Sequence, residues 1–410
     1  MTKVSSIHIY PIKSTAGISL PSAQVEALGL TFDRRFVVCD LSGQFITART
    51  EPRLCLVKTK LTNKSLTLST PGMETLVLLY DEFTNQYQKL TVWGDEVNGQ
   101  LCSKKANFWF SEYLQRPCEL LFFGQDSHRE RKPKTDNARK LAFADGYPLL
   151  LTSQASLNAL NNRFVDTQQI NTNNSENTEE VIVMAQFRPN IVVSDCLPFA
   201  EDSWQHIRIG EVEFKVSKPC ERCIFITVNP LTGEKNQQQQ PLKMLKSFRQ
   251  AHNGEVLFGQ NLIALNSGTV RQDDKVIVIS NQKPPTFITP NLTSEVQKLS
   301  IEESEHVVIT QSAKKKLTIT FEKWNKKHKI STLERSNDNV EKTLLEYGED
   351  AGLILPYSCR AGMCSRCKAK LISGEVKENI TDGLTTQEQQ EGYVLCCSTI
   401  PLSDVTIKHD

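Results

Sequence analysis

The chain has no apolar run long enough to cross a membrane. Its longest apolar stretches, such as Leu76–Tyr80 and Tyr147–Leu151, fall far short of the roughly 20 residues that a transmembrane helix requires. The N-terminus also lacks the long apolar segment of a secretory signal, and it predicts instead a strand that starts almost at once. We therefore expect a protein without a membrane span that works in the cytoplasm.

A bias in charge is absent as well. The 410 residues include 48 lysines and arginines against 47 aspartates and glutamates, so no general polyanion-binding surface is predicted. Residues 128–140 are locally basic but lack the interleaved aromatic residues on which bases stack. We interpret them as a solvated loop and expect no nucleic-acid partner. No G-x-G-x-x-G fingerprint is present, so NAD(P)H is not expected to bind this chain directly.

Cysteine, by contrast, is plentiful. Twelve cysteines without an export signal indicate metal or redox use in a reducing compartment rather than a disulfide framework. Four of them follow the spacing C-x4-C-x2-C-x29-C, which is the plant-type ligand run of a [2Fe–2S] cluster. Such a cluster transfers single electrons. The predicted ligands are Cys359, Cys364, Cys367 and Cys397.

The segment around these ligands resembles the β-grasp ferredoxin family over about the last 96 residues. Its pattern predicts strands at Leu317–Phe321 and Lys368–Ile372, with a helix before the ligand loop. The ending Tyr393–Cys397 matches the family's aromatic-Val-Leu-x-Cys ending when Cys397 is the fourth ligand. Because alternate residues of a strand face opposite sides, the adjacent Cys396 is predicted to point away from the cluster.

Composition divides the rest of the chain. Residues 281–314 combine prolines with an acidic stretch and predict a linker. Asp166–Glu180 and Glu234–Gln240 lack apolar residues and predict disorder. Short apolar or alternating runs favour a β-rich architecture before residue 281, with one helix at Ser156–Arg163. The predicted strands are Phe36–Cys39, Ser65–Leu68, Thr91–Trp93, Ile191–Ser194, Val212–Val216, Ile224–Val228 and Lys275–Ile279.

A second cysteine pair, Cys220 and Cys223, has the Cys-x-x-Cys spacing of a redox dithiol or half a zinc site. A redox dithiol opens a helix, whereas a strand is predicted here at Ile224–Val228. A zinc site needs a second Cys/His pair, and none of suitable spacing lies in the first 280 residues. One thiolate beside Arg222 suits instead a single soft ligand to a metal whose other ligands come from a cofactor.

The first 280 residues resemble the two-part MOSC family, which includes the mitochondrial amidoxime-reducing components and the YcbX-like MOSC–ferredoxin fusions. Seven short stretches match in the family's order along the chain. They are Tyr10-Pro11-Ile12-Lys13-Ser14, Asp33-Arg34-Arg35-Phe36, Phe45–Pro52 around Thr47-Ala48-Arg49, Phe187-Arg188-Pro189-Asn190, Glu201-Asp202-Ser203-Trp204, Pro219–Cys223 leading into Thr227-Val228-Asn229-Pro230, and Phe258-Gly259-Gln260.

This resemblance implies a β-rich α+β fold with three domains. A MOSC N-terminal β-rich domain is expected at residues 1–122, and a MOSC β-barrel domain at residues 123–280. After the linker, a β-grasp plant-type [2Fe–2S] ferredoxin domain is expected at residues 315–410.

The resemblance also implies a molybdenum cofactor, a molybdopterin dithiolene that carries a phosphate. By its position in the motif, Cys223 is expected to be the protein's sulfur ligand to molybdenum, with a supporting or structural role left for Cys220. The positions that match the family's cofactor contacts are Lys13, Ser14, Arg34, Arg188 and Asn190, and Thr152 and Ser153 are further candidates for pterin contacts.

Two classes of function remain open at this point. The first is an enzyme that reduces N-hydroxylated small molecules, such as 6-hydroxylaminopurine and hydroxylamines, with electrons from NAD(P)H through a separate flavoprotein reductase. The second is a carrier of the cofactor or of sulfur, because MOSC domains also occur in molybdenum-cofactor sulfurases. A weaker third hypothesis is an electron-transfer adaptor. A carrier has no need of an electron supply, so the ferredoxin-like segment favours the enzyme.

Overall fold

Our computed structural model of the protein describes residues 1–131, 139–171, 181–288, 317–323, 326–331, 342–350, 353, 355–356, 365–378, 381 and 383–409. These fall into two compact units, residues 1–251 with 255–286, and residues 252–254 with 287–410. β-Strands predominate in both units, and the predicted β-rich α+β class is confirmed.

The first unit contains strands β1–β20. They are β1 (Lys3–Ile9), β2 (Ile18–Leu20), β3 (Ser22–Glu26), β4 (Gly29–Leu30), β5 (Phe36–Asp40), β6 (Lys58–Leu61), β7 (Ser65–Ser69), β8 (Leu76–Leu79), β9 (Tyr87–Val92), β10 (Asp95–Leu101), β11 (Cys118–Phe122), β12 (Glu130–Arg131), β13 (Arg139–Lys140), β14 (Leu149–Ser153), β15 (Ile191–Ser194), β16 (Trp204–Ile209), β17 (Val212–Glu221), β18 (Leu257–Ala264), β19 (Gly268–Arg271) and β20 (Val276–Asn281).

Helices of this unit are α1 (Lys104–Leu114), α2 (Gln154–Asn171) and α3 (Leu242–Arg249). Short 3₁₀ helices occur at Pro52–Leu56, Tyr80–Glu82, Met184–Gln186, Ala200–Ser203 and Ile224–Thr227.

An eight-stranded sheet dominates the unit, in the order β2-β1-β15-β14-β18-β17-β16-β20. β14 and β15 run parallel, whereas β1 and β15 run antiparallel. The C-terminal end of β1 therefore lies beside the N-terminal end of β15, which brings the segment after Ile9 close to the segment before Ile191. Smaller sheets are β5-β11-β10-β9, β6-β7-β8, β19-β3-β4 and β12-β13.

Helix α1 illustrates how the sequence determines local structure in this unit. The Ser103 hydroxyl caps its N-terminus by accepting a hydrogen bond from the backbone N–H of Ala106 at 3.2 Å. Gln115 ends it in the left-handed conformation. Its buried residues recur at intervals of three and four, which gives one apolar face. They are Ala106, Trp109, Phe110, Tyr113 and Leu114.

Most of the strands predicted for this unit are confirmed, as β5, β7, β15, β17 and β20. β9 ends at Val92, one residue before the predicted end. The strand predicted at Ile224–Val228 is wrong, because Ile224–Thr227 forms a 3₁₀ turn. The Thr227 hydroxyl donates to the Ile224 carbonyl at 2.8 Å, and Ile226 is buried in the core. A short apolar run cannot be assigned to strand or helix by periodicity alone.

The predictions of disorder also need correction. The Asn236 side chain accepts hydrogen bonds from the backbone N–H groups of Gln238 and Gln240, so Glu234–Gln240 is an ordered turn. The predicted helix Ser156–Arg163 lies inside α2, which extends to Asn171 and so enters the segment predicted to be disordered. Residues 172–180 lie outside the described residues.

The second unit contains strands β21 (Thr318–Lys323), β22 (Lys326–Ser331), β23 (Lys368–Ser373), β24 (Val376–Glu378), β25 (Tyr393–Leu395), β26 (Thr399–Pro401) and β27 (Val405–Lys408), with helices α4 (Leu344–Asp350) and α5 (Thr386–Gln390). One sheet has the order β22-β21-β27-β23-β25, and β24 pairs with β26. The strands predicted near residues 317 and 368 are confirmed. Most of the predicted linker, residues 289–314, lies outside the described residues.

Candidate active site

A tyrosine and two arginines form the centre of the site. Tyr10 follows β1 and is buried, and burial raises the pKa of its phenol to about 12, so the ring is neutral. The guanidinium carbon of Arg34 lies 4.3 Å from the ring centroid, and that of Arg188 lies 4.1 Å from it. Both distances are those of cation–π contacts. Two predicted site residues from distant parts of the sequence are thereby brought together.

Asn190 connects Arg34 to the large sheet. Its side-chain oxygen accepts hydrogen bonds from Arg34 Nη1 and from the Leu150 backbone N–H, both at 3.1 Å. Its side-chain nitrogen donates to the carbonyl oxygen of His8 at 3.1 Å. Arg34 Nη2 donates in turn to the carbonyl oxygen of Arg188 at 3.0 Å. Asn190 thus fixes Arg34 relative to β1 and β14.

Arg188 and Arg222 each carry a buried nitrogen without a hydrogen-bond partner in the part of the chain that the structure describes. In both residues this atom is Nη2. Arg188 Nη1 donates to the carbonyl oxygen of Thr15 at 2.6 Å. Burial, with the nearby charge of Arg34, lowers the pKa of Arg188. Leaving a buried donor unpaired costs about 1–3 kcal/mol, and an anionic group supplies the acceptor that removes this cost.

Cys223 is half-buried and stands at the start of the 3₁₀ helix Ile224–Thr227. Arg49 Nε donates to its sulfur at 3.3 Å. Burial would lower the pKa of Arg49, but its contacts with Cys223 and Asp145 raise it, so the guanidinium stays charged. A cation beside a cysteine sulfur stabilises the thiolate, which is the form that ligates metals.

Lys13 lies beside this arrangement and is buried. Its Nζ donates to the carbonyl oxygen of Phe143 at 2.8 Å and to the carboxylate of Asp145. The same nitrogen lies 5.2 Å from the ring centroid of Phe45 and 5.8 Å from that of Trp93. Burial lowers the pKa of Lys13 to about 8 despite the opposing effect of Asp145. Lys13 is therefore close to titration at neutral pH.

Cys220 differs from Cys223 in its surroundings. Its sulfur donates a long hydrogen bond, 3.6 Å, to the carbonyl oxygen of Glu221. Burial raises the pKa of its thiol even though Arg222 opposes the effect. A protonated thiol is a poor metal ligand, and the supporting or structural role of Cys220 stays a prediction.

The remaining predicted contacts are distributed differently. Ser14 is buried in the left-handed conformation, at a φ of 75°. The Thr152 hydroxyl lies 3.2 Å from the sulfur of Met184. The Ser153 hydroxyl accepts from the backbone N–H of Ser156 at 3.0 Å and lies 2.7 Å from its hydroxyl. The structure therefore engages Ser153 at the start of α2, away from the two stacked arginines.

Two of the four predicted cluster ligands, Cys367 and Cys397, are described, and both are buried in the core of the second unit. Cys359 and Cys364 lie outside the described residues. The alternation argument for Cys396 is wrong, because β25 ends at Leu395 and Cys396 and Cys397 form a turn after it. Burial raises the pKa of Cys396, whose backbone N–H donates to the Cys367 carbonyl at 3.0 Å.

Sequence reasoning did not single out Asp145 or Trp93, and it treated Arg49 only as part of a motif. Arg49 and Cys223 are 174 residues apart, so no local pattern connects them. The solvated loop predicted at residues 128–140 is also partly wrong. Arg129 is buried and donates to the backbone carbonyls of Ala142 and Asp145, because charged side chains enter a core when enough acceptors surround them.

Three family descriptions match successive parts of the chain. The MOSC N-terminal beta barrel domain matches residues 1–117, and the MOSC domain matches residues 138–277. The 2Fe-2S iron-sulfur cluster binding domain matches residues 328–402.

Curated relatives agree with these matches. The mitochondrial amidoxime-reducing component 1 of Mus musculus is 36% identical over 293 residues, which cover 67% of this chain and 82% of the relative. The Homo sapiens protein of the same name is 35% identical with the same coverage. The chain belongs to the MOSC family of amidoxime-reducing components. Among solved structures, pectocin M2 overlaps 23% of this chain and 32% of its own at 33% identity, with a TM-score of 0.19 that is too low to bear on the fold.

Members of the amidoxime-reducing component family are oxidoreductases, and the prediction of an enzyme is confirmed. The two predicted cofactors, a molybdenum cofactor and a [2Fe–2S] cluster, are confirmed by the MOSC and cluster-binding domains. No helix in the described parts of the chain is long and apolar enough to span a bilayer.

The residues of the first unit fit a MOSC cofactor. Cys223 supplies a soft sulfur donor beside a guanidinium. The unpartnered Nη2 atoms of Arg188 and Arg222 suit an anionic, planar heterocycle with a phosphate. Among the residues that the structure describes, no three His, Cys, Asp or Glu side chains form a metal site of their own.

Proposed function

We propose that this chain is a molybdenum-dependent reductase of N-hydroxylated compounds, with 6-hydroxylaminopurine and hydroxylamines as substrates. The net reaction adds two electrons and two protons to R–NHOH and gives R–NH2 and water. The molybdenum cofactor, when bound, supplies two-electron oxygen-atom chemistry. Conversion of such compounds to amines would serve detoxification in the cytoplasm, the compartment predicted from the cysteine content.

One observation carries this proposal most directly. A half-buried cysteine that accepts a hydrogen bond from a charged arginine lies in the same unit as two arginines with unpartnered buried nitrogens. The proposed molybdenum ligand is Cys223. The relatives of this chain are named for amidoxime reduction, and an amidoxime carries an N–OH group.

The proposed roles of the other residues follow from their contacts. Arg34 and Arg188, stacked on Tyr10, would bind the anionic cofactor, and Asn190 would hold Arg34 in place. Lys13, which shares the Asp145 carboxylate with Arg49, would add a further positive charge. Ser14, Thr152 and Ser153 would add polar contacts to the cofactor, although the Ser153 hydroxyl is already engaged at the start of α2.

Electrons would reach the site through the fused cluster. We propose Cys359, Cys364, Cys367 and Cys397 as its ligands, in a ferredoxin domain at residues 315–410 that follows a linker at residues 281–314. MOSC domains at residues 1–122 and 123–280 complete the proposed division. Fusion raises the effective concentration of the electron donor at the active site. The cluster would be reduced by a separate NAD(P)H-dependent flavoprotein, and no nucleic acid is proposed to bind.

A carrier of the molybdenum cofactor is the competing function. A MOSC unit alone would suit that role. The matched [2Fe–2S] domain argues against it, because transfer of an intact cofactor or of sulfur consumes no single electrons.

The test is to count iron and molybdenum in the purified full chain and to assay 6-hydroxylaminopurine reduction with dithionite-reduced viologen. We expect about two irons and about one molybdenum per chain. Amine formation should require both the electron donor and the molybdenum. Protein loaded with both metals that forms no amine from 6-hydroxylaminopurine or from hydroxylamines would refute the proposed reductase activity and favour the carrier.

A further inference from the structure

Asp145 is a carboxylate on which three separate parts of the first unit converge. It lies between β13 and β14 and accepts hydrogen bonds from Lys13 Nζ, from Arg49 Nη2 at 3.0 Å and from Trp93 Nε1 at 2.8 Å. All three donors are buried or nearly so. An ordinary surface ion pair joins two exposed side chains, whereas here one exposed carboxylate accepts hydrogen bonds from three buried donors.

Arg49 connects Asp145 to the proposed molybdenum ligand. Its guanidinium donates through Nη2 to Asp145 and through Nε to the Cys223 sulfur at 3.3 Å. Its carbon atom Cζ lies 4.6 Å from the ring centroid of Trp93. A guanidinium is planar and rigid, so fixing one nitrogen and one face determines where the other nitrogens point. Asp145 and Trp93 together therefore determine the direction of Nε.

Trp93 adopts a left-handed backbone conformation that is unfavourable for a bulky residue. It has a φ of +52° in the two-residue turn, Trp93 and Gly94, that joins β9 to β10. A bulky residue in this left-handed region costs roughly 1–3 kcal/mol and persists only where surrounding contacts require it. The two-residue hairpin turn requires a positive φ at both of its residues, and the indole hydrogen bond to Asp145 and the cation–π contact with Arg49 hold the Trp93 side chain over the site.

We propose that Asp145 is a positioning residue of the active site, which holds Arg49 so that Nε stays directed at the Cys223 sulfur. The proposal rests on the assignment of Cys223 as the molybdenum ligand made above. A hydrogen bond to a metal-bound sulfur withdraws electron density from that sulfur and so changes the reduction potential of the metal. Loss of Asp145 would leave the ligand in place and change its electronic properties.

The experiment compares Asp145→Asn with Glu26→Gln in the full chain. Both changes neutralise a half-exposed carboxylate, with side-chain exposures of 49% and 41%, that accepts a hydrogen bond from a nearly buried arginine. Glu26 binds Arg35, which has no contact with Cys223 in the described structure. Metal content, the paramagnetic signal of molybdenum at half-reduction, kcat and KM are measured for each, with kcat and the signal expressed per molybdenum.

For Asp145→Asn we expect a shifted molybdenum signal and a kcat lower by about 10-fold, with KM for 6-hydroxylaminopurine changed less than about two-fold. Glu26→Gln should match the parent protein in all four measurements. Asp145→Glu, which restores the carboxylate one methylene further out, should recover part of the signal and of kcat. A parent-like signal and kcat in Asp145→Asn would overturn the proposal.

Trp93→Phe covers the case in which Asp145→Asn folds poorly or holds too little molybdenum. It removes one hydrogen bond to Asp145 and leaves the carboxylate intact, so the signal should shift in the same direction by a smaller amount. An unchanged signal in Trp93→Phe would then count against Asp145. Cys223→Ala separates the two levels of inference: full activity there refutes the ligand assignment itself, whereas a parent-like Asp145→Asn refutes only the positioning role.

Discussion

Each unit contains a pair of nearby cysteines, and the surroundings that set the two sulfurs apart differ between the units. In the first unit, Cys223 is set apart from Cys220 by a charged donor, because Arg49 contacts one sulfur and a neutral carbonyl the other. In the second unit, Cys396 and Cys397 share an apolar core and differ in exposure, at 1% and 9%. We therefore expect the choice of ligand to depend on electrostatics in the first pair and on access in the second, and each expectation can be tested separately.

The largest effect is expected at the first pair. Cys223→Ala should lower N-reduction by roughly 100-fold or more, because loss of a ligand exceeds the 10–100-fold typical of residues outside the first coordination shell. Cys220→Ala, its matched control, should stay within about 10-fold of the parent. Iron content should be unchanged in both. Equal losses in the two variants would remove the distinction between these sulfurs.

The second pair should give an all-or-none difference in the cluster. Cys397→Ser is expected to lose or severely alter the visible absorption and the reduced-state paramagnetic signal of the [2Fe–2S] centre, since its sulfur is the proposed ligand. Cys396→Ser should keep both, and molybdenum should be retained in each. The reverse pattern would assign the fourth ligand to Cys396.

Arginine stacking offers a test of intermediate size. Arg188→Lys keeps the charge but loses the planar fork, and we expect molybdenum content to fall by about 10-fold. Arg53→Lys is the control, because Arg53 also stacks on a tyrosine, Tyr113, at 5.6 Å but contacts none of the site residues. Equal molybdenum in both variants would show that charge alone binds the cofactor.

A pH dependence specific to the first unit is the smallest expected effect. Lys13 has a pKa of about 8 in the folded protein and an ordinary value of 10.5 in the unfolded chain. Between these values the unfolded chain binds more protons, so the stability contributed by Lys13 rises with pH, by at most about 1.4 kcal/mol per pH unit. It is lost as pH falls towards 8.

The measurement is the difference in unfolding free energy between the cofactor-free parent and Lys13→Met, by urea titration at pH 7.5, 8.5 and 9.5. Lys3→Met is the control, because the Asp273 contact raises the pKa of Lys3 and no slope is expected in this range. A flat difference for Lys13→Met would mean that its charge is not penalised by burial.

The fold was largely predictable because its signals are local. Strands such as β15 and β17 follow from short apolar or alternating runs. The four cluster ligands stay a prediction from their spacing, with three close together and the fourth distant in the sequence. The 3₁₀ helix after Cys223 was missed, since a five-residue run with four apolar residues suits several conformations equally well. Asp145 and Trp93 were missed for another reason. Their contacts form only where distant segments of the chain pack together, and neither residue type nor spacing predicts that packing.

The separation of Arg49 from Cys223 also has a consequence for biosynthesis. The two residues are 174 positions apart, and chains grow at about 5–20 residues per second. Cys223 is therefore synthesised roughly 9–35 s after Arg49. The cysteine that would receive the metal is made after Tyr10, Arg34, Asp145 and Arg188. The proposed molybdenum site therefore cannot be complete before residue 223 has been synthesised. The proposed iron–sulfur ligands, at residues 359–397, are synthesised later still, so the proposed electron supply follows the site that it would serve.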